Sequence, residues 1–408
     1  MTNPIEHKKP NIEFISLMAF MMSLVALSID AIMPAMTMIE RSLQLTESQD
    51  IQLVISLVLL GQGFGQLLFG PLSDTFGRKP LIYAGYSVFL VSTVVCMYAQ
   101  TYEALLIARF MQGFGLAAPR VLTMAIIRDK YAGPLMAQVM SFIMVFFILV
   151  PMIAPLMGQG ILLVAEWHAI FGVMLTFGIL SLTWFALRQP ETLAPEHRKE
   201  LRVSVLWATC REVLTTPVAM AYTLAAGVLS GAFISYLASA QQIFGNQYEL
   251  GEYFAVYFAG MALVYGIASF FNGKFVVRKG MQYMVSRAFT VLVTASIVFM
   301  PIVISQDYMP PLTWTTGYFV VAFASVGILF GNLNSLAMEP LGHLAGFGAA
   351  VVGAVSTLTA VAIALFIGSL FDNTLFPLML GFCGCSITAA VVVFAIERFR
   401  AAESNSQS

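Results

Sequence analysis

Charged side chains are scarce in this chain of 408 residues. Asp, Glu, Lys and Arg together make up 10% of the sequence, whereas soluble domains contain about 25%. Hydrophobic residues make up 59%, and the mean hydropathy is +0.86. This composition excludes a water-soluble globule, and it excludes a disordered chain because such chains are rich in polar residues. It predicts that the protein is surrounded by lipid.

An excess of basic charge is also lacking, since 20 Lys and Arg stand against 21 Asp and Glu. Proteins that bind nucleic acid need a basic patch, so we expect no nucleic-acid partner. Cysteine and histidine are few, with four of each, and their spacing suggests neither a disulfide scaffold nor a metal site. A membrane enzyme or receptor therefore has little support. No phosphate-binding Gly-x-x-x-x-Gly-Lys string is present, and we expect no cofactor.

Twelve apolar runs are each long enough to cross a bilayer, which takes about 20 residues of helix. They cover residues 12–34, 51–72, 81–99, 102–127, 136–158, 165–187, 218–240, 251–272, 282–304, 312–336, 345–369 and 374–396. We expect the first run to remain as a span, because it is long for a signal peptide and no cleavage pattern follows it. The sequence predicts an all-α membrane protein with twelve transmembrane helices.

The positions of Lys and Arg predict the orientation of these helices. The basic clusters at residues 78–79, 128–130 and 198–199 all lie in loops on the side that both termini share. Because positive residues are retained in the cytoplasm, we expect both termini to be cytoplasmic.

The longest break in hydrophobicity divides the twelve runs into two sets of six. We expect an N-terminal bundle at 1–187, a cytoplasmic linker with little capacity to pack at 188–217, and a C-terminal bundle at 218–408. A weak internal repeat supports two related halves. Gly70 and Gly77 follow the second run with the same spacing as Gly273 and Gly280 after the eighth.

Asp30 is the one acidic residue that we place well inside an apolar run. An ionisable side chain at such a depth costs at least about 2.5–3.5 kcal/mol, so it needs a partner or a function. Asp30 is either a proton carrier, which we favour, or half of a structural ion pair. Arg109 in the fourth run lies at a similar depth and is the natural partner, although the sequence does not show that the two runs are adjacent.

Arg120 lies eleven residues after Arg109, close to three helical turns, and so returns to the same face. Two interpretations are open. Either Arg120 binds an anionic or acceptor-rich substrate, or its side chain extends to the inner surface or bonds helix carbonyls.

Polar and aromatic side chains in other runs are weaker candidates for a substrate cavity. The amides lie in the second, fourth and tenth runs, and the tyrosines in the seventh and eighth: Gln62, Gln66, Gln112, Asn332, Tyr236 and Tyr257. Each of them is equally explained by contacts between helices or with lipid.

Several short strings stand out in this sequence. The loop after the second run reads Gly70-Pro71-Leu72-Ser73-Asp74-Thr75-Phe76-Gly77-Arg78-Lys79-Pro80. The first, fourth and fifth runs add Ser28-Ile29-Asp30, Arg109-x-x-Gln112-Gly113, Arg128-Asp129, and Pro151 with Pro155 and Gly158. These strings, of which the loop string is the most specific, resemble the drug:proton antiporters of the major facilitator superfamily, closest to the bicyclomycin and chloramphenicol resistance branch. The resemblance covers almost the whole chain and implies two pseudo-symmetric six-helix bundles.

These strings also have physical interpretations of their own. We expect Gly70 to let two helices approach, Asp74 to lie at a helix N-terminus, and Arg78 to pair with Asp129 across the inner face. In the fifth run, Pro151 and Pro155 weaken the helix and Gly158 allows tight packing.

The chain departs from the family pattern at three positions. Ala154 replaces a glycine of the fifth-run motif, Met22 replaces an acidic residue of some multidrug members, and Arg120 is additional. The last two favour neutral, zwitterionic or anionic substrates over bulky cations.

The resemblance implies proton-coupled export of small drug-like or metabolite molecules across a bacterial inner membrane. The expected partners are protons, lipid and a small-molecule substrate, with the proton gradient as energy source, no catalytic activity and a monomeric protein. The alternative is a proton-coupled importer or facilitator of a metabolite, because a fold does not fix the direction of transport.

Overall fold

A computed structural model describes residues 11–45, 50–131, 133–198, 203–344 and 347–407. Every regular element within these ranges is helical. The α-helices are α1 (Ile12–Asp30), α2 (Met36–Ser42), α3 (Leu53–Phe76), α4 (Arg78–Met97), α5 (Tyr102–Lys130), α6 (Gly133–Leu162), α7 (His168–Arg188), α8 (Val203–Thr215), α9 (Pro217–Ala240), α10 (Phe254–Lys279), α11 (Met281–Ser305), α12 (Leu312–Met338), α13 (Phe347–Ser369) and α14 (Phe376–Gln407).

The twelve predicted spans correspond to twelve long helices. Within the described residues, eleven segments are long and apolar enough to cross a membrane, and the part of α6 at Leu149–Leu162 is a shorter apolar helix. The protein is therefore a multi-pass membrane protein. The helix ends differ from the predicted ones around Gly77, because α3 runs to Phe76 and α4 begins at Arg78. The loop string is thus mostly helical, and Gly77, at φ +104°, is the residue that turns the chain.

The first span is broken immediately after Asp30. Two turn residues and a 3₁₀ turn (Met33–Ala35) separate α1 from α2. Pro34 explains the break, because it has no N–H for the helix ladder and disfavours helical backbone at the preceding residue. Asp30 is therefore the last residue of a helix that ends inside the span.

The linker packs more than the sequence predicts. Part of it folds as α8, which is amphipathic: Trp207 is exposed, whereas Val213 is fully buried in the main hydrophobic core. The expectation that 188–217 has little capacity to pack is therefore wrong.

Glycines set the closest helix contacts. A Cβ at Gly113 of α5 would lie 1.8 Å from the Val58 carbonyl oxygen of α3, and one at Gly61 would lie 1.9 Å from the Phe110 oxygen. No side chain fits at these distances, so α3 and α5 pack backbone against backbone. In addition, α3 packs against α13 and α6 against α10, which joins the first six spans to the last six.

Candidate functional site

Asp30 lies in the interior without a protein partner. Its side chain is 4% exposed, and no hydrogen bond or ion pair joins it to any residue that the structure describes. The negative end of the α1 dipole opposes a charge at this last helical position. A permanent charge is costly at this buried position, and this arrangement suits a group that binds a proton.

The break beside Asp30 is packed against the fifth span. A Cβ at Gly158 of α6 would lie 2.1 Å from the carbonyl oxygen of Ala31, whereas one at Gly160 would meet nothing within 4 Å. Pro151 and Pro155 both lie inside α6, and Ala154 is buried. Glycine at 158 is therefore required for α6 to touch the backbone next to Asp30.

Arg109 is fully buried and bonds to neutral groups. Its Nη2 donates to the Ser28 carbonyl oxygen at 2.9 Å, its Nε to the Val54 oxygen at 2.9 Å, and its Nη1 to Gln112 Oε1 at 2.6 Å. Gln112 in turn donates to Thr93 Oγ1 at 2.8 Å. Arg109 thus joins α1, α3 and α5.

The structure brings Arg109 beside α1 but does not pair it with Asp30. Its nearest contact on α1 is two residues earlier, at the Ser28 carbonyl, and no carboxylate of the described residues forms an ion pair with it. Neither the Ser28 nor the Val54 carbonyl could be predicted from sequence, because any residue supplies that acceptor.

Arg120 turns towards α3 instead of the inner surface. Its Nη1 donates to Gln62 Oε1 at 2.5 Å. Since Arg109 also bonds to α3, the two arginines share a face of α5, as the spacing predicts. Gln66 lies one turn further along α3, with its Oε1 2.8 Å from where a Cβ at Gly353 of α13 would lie. The Nε2 groups of both glutamines are buried and unpartnered.

The aromatic candidates lie apart from this polar group. The Tyr236 and Tyr257 rings flank Phe244, with centroid distances of 5.8 and 4.7 Å. The Tyr236 hydroxyl is buried without a hydrogen bond. Asn332 instead joins two helices, donating to Asn272 Oδ1 at 2.9 Å.

The loop string forms a charged cluster centred on Arg78. Its Nη1 lies 2.6 Å from Asp74 Oδ1 and its Nε 3.1 Å from Asp129 Oδ2. The predicted contact of Arg78 with Asp129 is therefore present.

Two other expectations about the loop string are wrong. Asp74 was expected at a helix N-terminus, but it occupies the last turn of α3. Gly70 was expected to permit close approach, yet a Cβ there would lie 3.5 Å from Ala350 Cβ, an ordinary contact.

Glu191, which sequence reasoning missed, caps the N-terminus of α4. Its carboxylate accepts the backbone N–H of Arg78 at 3.0 Å and of Lys79 at 2.9 Å. Burial raises its pKa, but hydrogen bonds from four backbone N–H groups outweigh burial and hold the pKa below its usual value. Lys79 Nζ donates to the Ala186 oxygen at 3.0 Å. The sequence signal that we missed is an acidic residue shortly after the sixth span, which could cap the helix that begins at the Gly77-Arg78-Lys79 turn.

Within the described residues, no three His, Cys, Asp or Glu side chains are placed to hold a metal ion.

The sequence matches a family model. The model described as Major Facilitator Superfamily aligns with residues 18–366. The chain belongs to the major facilitator superfamily. It is therefore a membrane transporter.

Individual members of the superfamily are similar over most of this transporter. An uncharacterized MFS-type transporter, YdgK, of Bacillus subtilis is 30% identical over 86% of this chain and 88% of its own length. A bicyclomycin resistance protein homolog of Haemophilus influenzae is 25% identical over 96% and 97%. The xylose transporter XylE from E. coli, in a partially occluded inward-open conformation, has a TM-score of 0.73 at 11% identity, covering 94% and 98%.

Proposed function

We propose that this transporter exports small molecules in exchange for protons, with Asp30 as the proton carrier. The observation that carries the proposal is a buried carboxyl group at the end of a broken helix, with no hydrogen bond or ion pair to the described part of the chain. Such a group is costly unless it changes its protonation state during function. The similarity to a bicyclomycin resistance protein homolog supports the outward direction.

We further propose that two halves, 1–187 and 218–408, move against each other by alternating access. In this structure their outer ends are joined. Gln52 Nε2 of the second span donates to Gln242 Oε1 at 3.1 Å, and Asn246 Nδ2 donates to Thr37 Oγ1 at 3.2 Å. Gln242 and Asn246 lie in a π-helical turn (Gln241–Gln247) that follows α9. Opening to the outside requires these bonds to break.

In this mechanism Asp30 accepts a proton from outside and releases it inside. Arg109 is a positioning residue, because its guanidinium holds the backbone at Ser28 and so fixes the end of α1. The Gly158 contact transmits a movement of α6 to Ala31 and to the adjacent Asp30. Each charge moved across about 100 mV supplies about 2.3 kcal/mol, enough for roughly fifty-fold accumulation. The proton gradient is then the sole energy source.

The same proposal places the protein in a bacterial inner membrane, as a monomer with both termini in the cytoplasm. The alternative of proton-coupled import uses the same fold, which a xylose transporter shares. The fifth-span Pro and Gly residues favour export because they resemble an antiporter motif.

Uptake into inverted membrane vesicles under an imposed proton gradient tests the proposal. The compounds are phenicols, sulfonamides, nucleosides, amino acids and anionic chelators. We expect accumulation in the wild type, loss in Asp30→Asn, and no loss in Glu103→Gln, a matched change at an exposed acid in the first turn of α5. Wild-type transport in Asp30→Asn would refute the coupling role, and uptake only by right-side-out vesicles would establish import.

A further inference from the structure

Arg120 is a half-buried guanidinium without a carboxylate partner among the residues that the structure describes. Arg120 has one hydrogen-bond partner among the described residues, the neutral Gln62 amide, and no carboxylate in that part of the chain pairs with it. A cation inside a membrane protein is stable only when negative charge or several acceptors surround it. The described residues supply a single acceptor, which leaves the other N–H groups of Arg120 available to a ligand.

The groups around Arg120 are donors. Gln62 is fully buried and Gln66 is 5% exposed, and the Nε2 of each has no partner in the structure. Because Gln62 and Gln66 are four residues apart on α3, their side chains lie on one face of that helix. Gly353 of α13 lies directly against Gln66, so the second half of the chain forms the opposite wall. Unpaired amide N–H groups beside a guanidinium call for an anion with several acceptor oxygens.

We propose that Arg120, Gln62 and Gln66 bind the carboxylate of the transported substrate. A carboxylate offers two oxygens in a plane and accepts paired N–H bonds from a guanidinium. This inference rests on the proposed function, because it assigns the substrate class of the same transporter. The hydrogen bond of Arg120 to Gln62 of α3 supports this interpretation over a side chain that extends to the inner surface.

Coupling to protons adds a second requirement. A proton on Asp30 makes the interior more positive and so strengthens, not weakens, the binding of an anion. Exchange requires that binding of the substrate and binding of the proton exclude each other. A cationic group of the substrate placed near the Asp30 carboxylate competes with a proton for that carboxylate. A substrate that satisfies both Arg120 and Asp30 carries both charges. The substrate class is therefore a zwitterion with its cationic and carboxylate groups at opposite ends of the molecule.

Binding to the full-length protein in detergent, measured by calorimetry, tests the site independently of transport. The probe is 4′-(aminomethyl)biphenyl-4-carboxylate, compared with its carboxamide and with 4′-methylbiphenyl-4-carboxylate, which lacks the amine. We expect the wild type to bind the zwitterion at least tenfold more tightly than the carboxamide. Arg120→Gln should remove that preference, a loss of about tenfold to a hundredfold for a hydrogen-bonded charge.

Matched variants exclude an effect of folding. Arg128→Gln changes an exposed arginine of the same helix and should keep the preference. Gln62→Leu and Gln66→Leu retain Arg120 and should each weaken binding of the carboxylate but not of the carboxamide. Equal binding of carboxylate and carboxamide to the wild type, or an unchanged preference in Arg120→Gln, would overturn the proposal.

Failure of the site and failure of proton exchange give different results. If Arg120→Gln loses the carboxylate preference but wild-type vesicles show no proton-driven uptake of the zwitterion, the site stands and the proposed export falls. If vesicles exchange protons for substrates without regard to the carboxylate, export stands and the site falls. The probe without the amine reports the cationic requirement, and it should not elicit proton release from the wild type.

Discussion

Adding one methyl group at Gly158 tests whether the contact between α6 and the α1 break is part of transport. In Gly158→Ala the new Cβ would lie 2.1 Å from the Ala31 carbonyl oxygen. Non-bonded atoms come no closer than about 3.5 Å without repulsion, so α6 and the backbone beside Asp30 have to separate by more than about 1 Å. Overpacking of this kind costs about 1–3 kcal/mol. The conformation seen here should be disfavoured by about fivefold to 150-fold.

The matched variant is Gly160→Ala, two residues along the same helix, where a Cβ meets nothing within 4 Å. Both changes raise helix propensity equally, so their difference isolates the contact. We expect at least a fivefold lower rate of proton-driven uptake in inverted vesicles for Gly158→Ala, and a rate within twofold of wild type for Gly160→Ala. Thermal unfolding in detergent gives the stability of each protein. Equal rates in the two variants would refute the argument that the close backbone contact matters for the cycle.

Two further predictions concern the thermal stability of the folded protein. Glu191→Gln should lower the thermal stability at pH 7. The folded-state pKa of Glu191 lies below its usual value of 4.5, so this stabilisation is present above pH 4.5 and is lost as the pH falls through the folded-state pKa. A difference between variant and wild type that does not shrink as the pH falls would show that charge is not the cause. Gly70→Ala should unfold within about 2 °C of wild type, since its Cβ makes an ordinary contact, whereas Gly113→Ala should unfold at a clearly lower temperature because its Cβ would lie 1.8 Å from Val58. Equal unfolding temperatures for these two variants would contradict the packing.

The spans were predictable from sequence because a bilayer sets a minimum length of apolar helix, and that length is visible in the composition alone. The special positions of Asp30, Arg109 and Arg120 were predictable for a related reason, since a charge in an apolar run is conspicuous. The contact of Arg78 with Asp129 followed from matching charges at the same face. In each case the physical signal is carried by the residue itself.

The hydrogen-bond partners of the buried and capping side chains were harder to predict, because they depend on which backbone groups a neighbouring helix presents. Arg109 bonds to the Ser28 and Val54 carbonyls, and every residue has a carbonyl. Glu191 reaches the first turn of α4 only because the chain folds back after α7. Gly70 and Gly158 look alike in sequence, and only the packed helices show that one has room for a methyl group and the other has none.

The cap formed by Glu191 also determines how much chain is free to connect the two proposed halves. It anchors the segment after α7 to α4, while α8 is anchored at the other end, where it packs against α9 and α13. Nine residues, 194–202, connect Leu193 to Val203, and a chain of nine residues spans at most about 30 Å at about 3.3 Å per residue. This covalent connection keeps the two proposed halves from separating sideways in the membrane, so that each N-terminal half stays with its own C-terminal half.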